Sequence, residues 1–424
     1  MRTSRPVLPR RLAAGLAATL LVVACSPTPT AAPTATSAAT QTPSSPTPGP
    51  SAPPAAEVYA AIRKDVEVIR GLQPTKSVDP VAIDEAQLLK NLTAEFDSEN
   101  KPTDLQFSQE TLIALGLLPP AASLRDLTLD LQGNNVAGYY SPDKDELFVV
   151  SRTGGLGPAE KVTYSHEFTH QLQDQNFNLD KLGTDAVNQS DRTLAQLALI
   201  EGDAVSVQNR WTTANLTPEE MGQLLTASLD PDALAALQRA PAYLRETSLF
   251  PYLSGNPFVE SLIAGGGYQA VNAAFAKPPV STEQVLHPEK YAAGETPVEV
   301  KLPTNLATSM GTGWSEAGQD TLGEFVLRLW LTQNGVPSAT AAAGAAGWGG
   351  DRLILLRGPG SSIEVGIVTK WDTAADASDF RDAAATALQS VDDFTLASYA
   401  RGSAEVTFAI GPEADHVVTA LLKG

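Results

Sequence analysis

The feature that most constrains this chain is a pair of histidines four residues apart, with a glutamate directly after the first. His166, Glu167 and His170 form this His-Glu-x-x-His pattern within a run that contains no proline. At about 3.6 residues per turn, a helix places both imidazoles on one face, where they can share a zinc ion. Glu167 borders the same space and can act as a base toward a water molecule. The motif predicts a zinc-binding helix and metal-assisted amide hydrolysis.

The residues around the motif favour a buried metal helix over a chance match. The side chains inside and beside it are uncharged or apolar: Tyr164, Phe168, Thr169, Gln171 and Leu172. The whole chain has only four histidines, so two of them seldom meet in this register by chance. The alternative is a structural helix whose histidines have ordinary hydrogen-bond partners.

A catalytic zinc ion needs a third protein ligand. One class of metalloprotease has a glycine and a third histidine at the positions of Gln173 and Asn176, so this chain is not in that class. The other common solution is a glutamate from the next helix, and Glu201 ends an apolar run that opens near Ser190 or Asp191. Such an acid is costly to bury unless it is paired or binds a metal. The alternative places Glu201 on the exposed stripe of an amphipathic helix.

Asp203 is the second acid of this predicted helix, and it follows Glu201 too closely to share its face. We expect Asp203 to accept a hydrogen bond from a ligand histidine and so to fix the tautomer of that histidine. The exposed stripe is the alternative for Asp203 as well.

In these motifs the chain resembles the gluzincins, the thermolysin-like zinc metallopeptidases, and more narrowly a set of uncharacterised bacterial metallopeptidases, many of them lipoproteins. The resemblance implies His166, His170 and Glu201 as ligands of one Zn²⁺ per chain and Glu167 as the general base, without implying a particular substrate. The chain departs from thermolysin at Val205, where that enzyme has an aspartate. The similar blocks are residues 136–140, 166–175, 198–204, 281–288 and 347–352.

The N-terminus has the pattern of a bacterial lipoprotein signal. Four arginines precede an uncharged apolar run over residues 12–24, which ends with a small residue before Cys25, the only cysteine. We expect removal of residues 1–24, lipid on Cys25 and no internal disulfide. The expected location is the outer face of a bacterial cell membrane, with the lipid as the only membrane contact. The alternatives are an ordinary secretory signal and a retained anchor.

Residues 25–56 are almost wholly Pro, Thr, Ser and Ala and carry no charged side chain. They cannot bury enough apolar surface to fold, so we expect a disordered spacer. Without the signal, 48 acidic residues face 25 basic ones, a formal charge of −23. This charge disfavours nucleic acid as a partner. We expect a monomer that acts on a peptide or protein substrate.

The remaining chain is expected to be α+β: a mainly helical, zincin-like catalytic domain over residues 57–350 and a small α/β module over 351–424. Helical periodicity predicts helices at 58–72 and 81–96, and two β-prone runs around a polar turn at 141–145 predict a hairpin. In zincins such a hairpin is the edge on which an extended substrate pairs, so Tyr139 is a candidate substrate contact. A purely structural hairpin is the alternative. Between 217 and 275 several short helices are expected, with a tight connection at 265–267.

Two further residues are candidates for the site. His287 lies in a proline-flanked segment and is a candidate for hydrogen bonding to the developing oxyanion, or else a capping or packing residue. Arg352 follows two glycines and is a candidate clamp for a substrate carbonyl or carboxylate, unless it or Asp351 forms an internal salt bridge. The sequence thus predicts an exported, lipid-anchored zinc metallopeptidase. The alternative is a catalytically silent surface-binding or scaffold lipoprotein with a zincin-like fold.

Overall fold

The computed structural model describes residues 55–142, 144–151, 155–183, 188–391, 393–398 and 403–423. The predicted signal, Cys25 and nearly all of the predicted spacer lie outside these residues. The first helix begins at Ala55, two residues before the predicted start of the folded part. Within the described ranges, no helix combines the length and the apolar character needed to cross a membrane.

The described chain is mainly helical, with two small sheets, so the α+β class is confirmed. The helices are α1 (Ala55–Arg70), α2 (Glu85–Glu99), α3 (Pro102–Ala114), α4 (Leu124–Asn135), α5 (Pro158–Phe177), α6 (Ser190–Asn215), α7 (Pro218–Ala227), α8 (Pro231–Arg239), α9 (Ala242–Leu253), α10 (Gly255–Ala276), α11 (Thr282–Leu286), α12 (Pro288–Ala293), α13 (Leu306–Ser309), α14 (Gly323–Gln333), α15 (Ser338–Ala345), α16 (Ala374–Leu388) and α17 (Ala414–Leu421). The strands are β1 (Pro80–Ile83), β2 (Gly138–Ser141), β3 (Glu146–Val150), β4 (Ser315–Asp320), β5 (Trp348–Arg357), β6 (Ile363–Trp371), β7 (Phe394–Ser398) and β8 (Glu405–Ile410).

The smaller sheet has the order β1-β3-β2, with β1 parallel and β2 antiparallel to β3. The predicted hairpin is confirmed as β2 and β3. The helix predicted from Val81 is wrong over its first residues, because Val81 pairs with Phe148 in β1. Helix α2 starts only at Glu85, where the Asp84 carboxylate accepts the Gln87 N–H at 2.8 Å as an N-cap.

The larger sheet is antiparallel, in the order β4-β5-β6-β8-β7, and apolar side chains cover both of its faces. Helices α14 and α16 pack on one face around Trp330, Phe380 and Phe408, and α17 packs on the other. The predicted strands and helices of the C-terminal segment are present. The sequence did not predict β4 or β7, and the expected boundary between residues 350 and 351 falls inside β5.

Helices α5 and α6 pack against each other and are buried along most of their length. The start of α5 is capped by Glu160, whose carboxylate accepts the Gly157 N–H at 2.9 Å. The opposite face of α6 meets the start of α10 so closely that a Cβ at Gly202 would lie 2.2 Å from the Gly255 carbonyl oxygen. This close approach fixes the position of α6 and therefore of Glu201 beside α5.

The predicted series of helices after α6 is confirmed as α7 to α10. The tight connection predicted at residues 265–267 is a break within α10. Gly266 and Gly267 leave the helical conformation there, and the φ of Gly267 is +64°, which favours glycine.

Candidate metal centre

Three side chains from α5 and α6 converge on one point in the interior. His166 Nε2 lies 3.1 Å from Oε2 of Glu201 and 3.0 Å from Nε2 of His170. The third edge of this triangle, from His170 Nε2 to Glu201 Oε2, is 3.3 Å. We call these three residues the metal cluster. The one-turn spacing within α5 brings the histidines together, and the packing of α6 on α5 supplies the carboxylate.

The charges in this cluster depend on one another because it is almost free of solvent. Burial lowers the pKa of His166. Burial acts to lower the pKa of His170 too, but the facing carboxylates of Glu201 and Glu167 raise it to about 9. Burial would raise the pKa of Glu201, but the two histidines outweigh it and hold that pKa below its ordinary value. The three side chains together thus favour a positive charge, such as a proton or a metal ion, at the point where they converge.

The donor set fits a zinc ion. Ligand atoms at about 2.0–2.2 Å from zinc in a tetrahedral arrangement lie about 3.3 Å apart, which the three observed separations approach. His170 Nδ1 lies 2.9 Å from the Gln173 side-chain oxygen, so it can donate its proton there and leave Nε2 to a metal. The two Nε2 atoms face each other at 3.0 Å, a separation that either a proton on one ring or a shared metal ion would stabilise.

A polar chain behind His170 holds that ring. The Gln173 side-chain oxygen can accept a hydrogen bond from His170 Nδ1. Its side-chain nitrogen donates to Ile200 O and to Asp203 Oδ2, each at 2.9 Å. Arg70 Nε in turn donates to Asp203 Oδ2 at 2.9 Å, and both charged side chains are fully buried. The expected hydrogen bond from a histidine to Asp203 is not present among the described residues. Asp203 is linked to His170 only through Gln173.

Neither Gln173 nor Arg70 is predicted in this role from the sequence, where Gln173 is notable only as a position that lacks a glycine. A glutamine one turn after the second histidine, on the same helix face, is the signal that could have identified it. Arg70 was part of a helix predicted from periodicity alone, and only the fold brings it to Asp203, 133 residues away.

His166, the other histidine of the metal cluster, has different surroundings. The His166 ring faces the ring of Tyr252 from α9, with their centroids 6.2 Å apart. The Gln208 side chain lies near His166 and acts to raise its pKa, whereas burial lowers that pKa. Nevertheless, His166 Nδ1 and Gln208 Oε1 are both buried without a hydrogen bond of good geometry.

Glu167 lies beside the cluster and outside the ligand set. Its side chain is fully buried, and neither carboxylate oxygen has a hydrogen bond of good geometry among the described residues, although the backbone N–H of Tyr140 lies close enough to act on its pKa. Burial raises the pKa of Glu167 to about 8, and the neighbouring His170 acts in the opposite direction. The hairpin touches it through Gly138, where a Cβ would lie 3.3 Å from Glu167 Cγ and 2.6 Å from Thr163 Cγ2.

Two other candidate residues, Tyr139 and His287, have described contacts with other parts of the molecule. Tyr139 of β2 stacks on Phe148, and its hydroxyl accepts a hydrogen bond from Asn91 of α2, while its neighbour Gly138 faces α5. His287 Nε2 lies 3.0 Å from Glu324 Oε1 and its Nδ1 lies 3.8 Å from Glu289. None of these recorded contacts reaches the metal cluster.

Arg352 also lies elsewhere, and its partners are neutral. It donates to the Gln319 side chain at 3.0 Å and to Asn188 O at 2.8 Å. The internal salt bridge considered for Asp351 or Arg352 is absent from the described residues. The Asp351 carboxylate accepts the Leu322 and Gly323 N–H groups at 2.9 and 2.8 Å.

One comparison with known families gives a match. A family described as "Domain of unknown function (DUF8575)" matches residues 309–419, from the end of α13 into α17. No curated protein and no solved structure matches the chain. The matched segment contains the larger sheet and excludes α5 and α6, so it carries no information on the metal cluster.

Proposed function

We propose that this chain is an exported, lipid-anchored, zinc-dependent peptidase with a zincin-like catalytic part. His166, His170 and Glu201 would hold the ion, and the proposal depends chiefly on the convergence of their three donor atoms within 3.3 Å of one another. Among the described residues, no lysine or arginine forms an ion pair with Glu201, so the chain offers this buried carboxylate only the two histidines as partners.

The chemistry follows from the residues around this point. Zinc bound there would lower the pKa of a water molecule and polarise a substrate carbonyl. Glu167, which has no strong hydrogen-bond partner among the described residues, would be the base that accepts a proton from that water and the acid that returns it to the leaving amine. Gln173 keeps His170 in the tautomer that directs Nε2 inward. The raised pKa of Glu167 suits a group that must both take and give a proton near neutral pH.

One observation favours a second function, a surface metal-binding or scaffold protein without turnover. His166 and Glu167 have no exposed surface, Glu201 is 1% exposed and His170 is 3% exposed. A substrate carbonyl must reach the ion, and the burial of these side chains leaves it no open path. An active peptidase would therefore need a movement that opens the site. The ligand count points the other way, because structural zinc sites have four protein ligands and this cluster offers three.

The experiment that separates these functions compares the zinc content and peptide hydrolysis of the full chain with those of Glu167→Gln. We expect one zinc per chain in both proteins and cleavage of a quenched fluorescent peptide library only by the native chain. Glu219→Gln, an exposed acid of α7, is the control for loss of one carboxylate. Zinc without cleavage by the native chain would support the scaffold function. A native chain without zinc, or equal cleavage by Glu167→Gln, would overturn the peptidase mechanism.

The lipid anchor has its own test. We expect a bacterial host to incorporate labelled palmitate into the native chain and not into Cys25→Ser, which should be released from the membrane fraction. Equal labelling of both proteins would contradict attachment at Cys25.

A further inference from the structure

A concavity of about 550 Å³ lies between the start of α6, the irregular segment 297–302 and the adjacent parts of β4 and β5. Its wall combines apolar side chains, among them Val280, Val298 and Val300, with the cationic side chains of Arg192, Lys301 and Arg352. This composition is typical of a site for a ligand that has an apolar body and an anionic group.

The hydrogen-bond partners of Arg352 are all neutral, and it forms no ion pair with a described carboxylate, although its charge acts on the nearby buried Asp320. Its Nε donates to Gln319 Oε1 at 3.0 Å, and its Nη1 donates to Asn188 O at 2.8 Å. All of its recorded partners are uncharged oxygens, although acids greatly outnumber bases in this chain. A guanidinium oriented by neutral acceptors keeps its charge and its second Nη group for a ligand.

Arg192, in the first turn of α6, lines the same concavity. Its one recorded contact is a 3.5 Å approach of Nη1 to the Gln189 side chain, and its Nε is buried without a partner. No described carboxylate forms an ion pair with Arg192 or Arg352. Most described arginines do have such a partner, for example Arg125 with Asp97 and Arg239 with Asp130. Two unpaired guanidinium groups in one concavity therefore need an explanation.

The nearby acids have other partners. The Asp320 carboxylate, on which the charge of Arg352 acts, accepts hydrogen bonds from Ser190 and Thr321. Glu299 is exposed and lies 3.3 Å from Lys301, and the Asp351 carboxylate is occupied by backbone N–H groups at the start of α14. Asp191 is 2% exposed, and its Oδ1 accepts the Thr282 N–H at 3.0 Å. Its Oδ2 has no partner, and burial raises the pKa of Asp191 well above its ordinary value.

The irregular segment offers backbone groups as well. Among the described residues, Val298 N–H bonds Gly349 O at 2.7 Å, and no N–H group of residues 299–302 donates a recorded hydrogen bond. Unpaired backbone beside a charged pocket is the arrangement by which proteins bind the end of an extended peptide.

We infer that this concavity is a carboxylate-binding site, with Arg192 and Arg352 on the carboxylate and the valines on an adjoining apolar group. The ligand chemistry is a carboxylate next to a branched apolar side chain, as in a peptide with a free C-terminal leucine or in a small branched carboxylic acid. The site is separate from the metal cluster and does not depend on the proposed peptidase function.

Calorimetric titration of the full chain with three probes tests this inference. The probes are N-acetyl-Ala-Ala-Leu as the free acid, its C-terminal amide, and 4-methylpentanoate. We expect the free acid to bind at least tenfold more tightly than the amide. Binding of 4-methylpentanoate as tight as that of the peptide acid would identify a small carboxylic acid as the source, and weaker binding would identify a peptide end. Equal binding of acid and amide, or binding of neither carboxylate at 10 mM, would overturn the inference.

Variants locate the binding. Arg192→Met and Arg352→Met should each weaken binding of the acid probe at least tenfold, while Arg352→Lys should retain part of it because the charge remains. Arg328→Met, which removes an exposed arginine of α14, is the matched control and should bind as the native chain does. Native affinity in both methionine variants would place the carboxylate elsewhere and contradict the assignment. If one variant fails to unfold cooperatively, the other variant and the acid-to-amide ratio of the native chain decide the outcome.

Discussion

Two clusters in this molecule bring ligand-type side chains together, the metal cluster and a second group. They balance the negative charge of their carboxylates in different ways. Glu283, Glu295 and Asp372 also bring three oxygens close enough to hold a cation. There the chain supplies the cation itself, because Lys290 Nζ lies 2.7, 2.6 and 2.6 Å from the three carboxylates. We call these four residues the lysine cluster.

The two clusters differ in burial as well as in charge. Glu295 and Asp372 are about 40% exposed, so water and Lys290 together satisfy the lysine cluster. All three members of the metal cluster are buried, and its Glu201 faces only two imidazoles. Burying a carboxylate without a full partner is costly. Ligand-type geometry alone therefore does not distinguish the two clusters. Lys290 places a permanent ammonium among its three carboxylates, whereas the internal cation available to Glu201 is a protonated His170, which a metal ion can replace.

The largest expected effect is stabilisation of the native chain by zinc. At a free zinc concentration 1,000 times the dissociation constant, binding to the folded state adds about 4 kcal/mol to the free energy of unfolding. The measurement is thermal unfolding of the full chain with zinc and with a chelator. Glu201→Ala should lose this response because only two ligands, the histidines, would remain, and two ligands are too few to hold the ion.

Glu295→Ala is the control for this contrast, since it removes a carboxylate from the lysine cluster. It should keep the full zinc response. A response lost in Glu295→Ala and kept in Glu201→Ala would reverse the assignment of the two clusters.

The lysine cluster should depend on its ammonium most strongly at high pH. Burial raises the pKa of Glu283 to about 7 even though Lys290 acts to lower it. A carboxyl whose pKa is higher in the folded than in the unfolded chain costs stability as the pH rises and it ionises. In Lys290→Met this cost grows, and we expect a loss of about 3 kcal/mol at pH 8 and clearly less at pH 5.

Denaturant unfolding of Lys290→Met and the native chain at both pH values measures this difference. The exposed counterpart is Lys301→Met. The Lys301 side chain is 78% exposed, so its charge should contribute little to stability at either pH. A loss for Lys290→Met that is the same at pH 5 and pH 8 would contradict the electrostatic account.

Much of the metal cluster followed from the sequence because its information is local. The four-residue spacing of His166 and His170 needs only helix geometry, and an acid in the apolar run of α6 identifies Glu201. Residues joined by tertiary contacts did not follow. Arg70 reaches Asp203 only through the packing of α1, and Pro80–Ile83 becomes a strand only because β3 pairs with it. No local pattern in the sequence predicts the role of Lys290, because only the fold brings its three partners together.

The polar chain behind His170 should have a smaller effect than the ligands themselves. Gln173→Ala removes the acceptor at His170 Nδ1, and outer partners of metal ligands typically contribute 10–100-fold in affinity. We expect zinc binding to weaken by about that factor without loss of the fold, as measured by competition with a chromogenic chelator. Gln175→Ala, which removes a half-buried amide of the same helix that bonds Thr75 and Lys76 and not the metal cluster, is the matched control. Equal zinc affinity in Gln173→Ala and the native chain would show that the ring is held by packing alone.

The smallest expected effect tests whether an absent internal cation is what makes a cluster bind metal. Lys290→Ala leaves the three carboxylates of the lysine cluster without their ammonium, and oxygen ligands of this kind suit Ca²⁺. We expect Ca²⁺ at about five times its dissociation constant to stabilise this variant by about 1 kcal/mol and to leave the native chain unchanged. Zinc should continue to stabilise both proteins through the metal cluster. If Ca²⁺ stabilised neither protein, the lysine cluster would lack the geometry of a metal site, and the difference between the two clusters would lie in ligand placement as well as in charge.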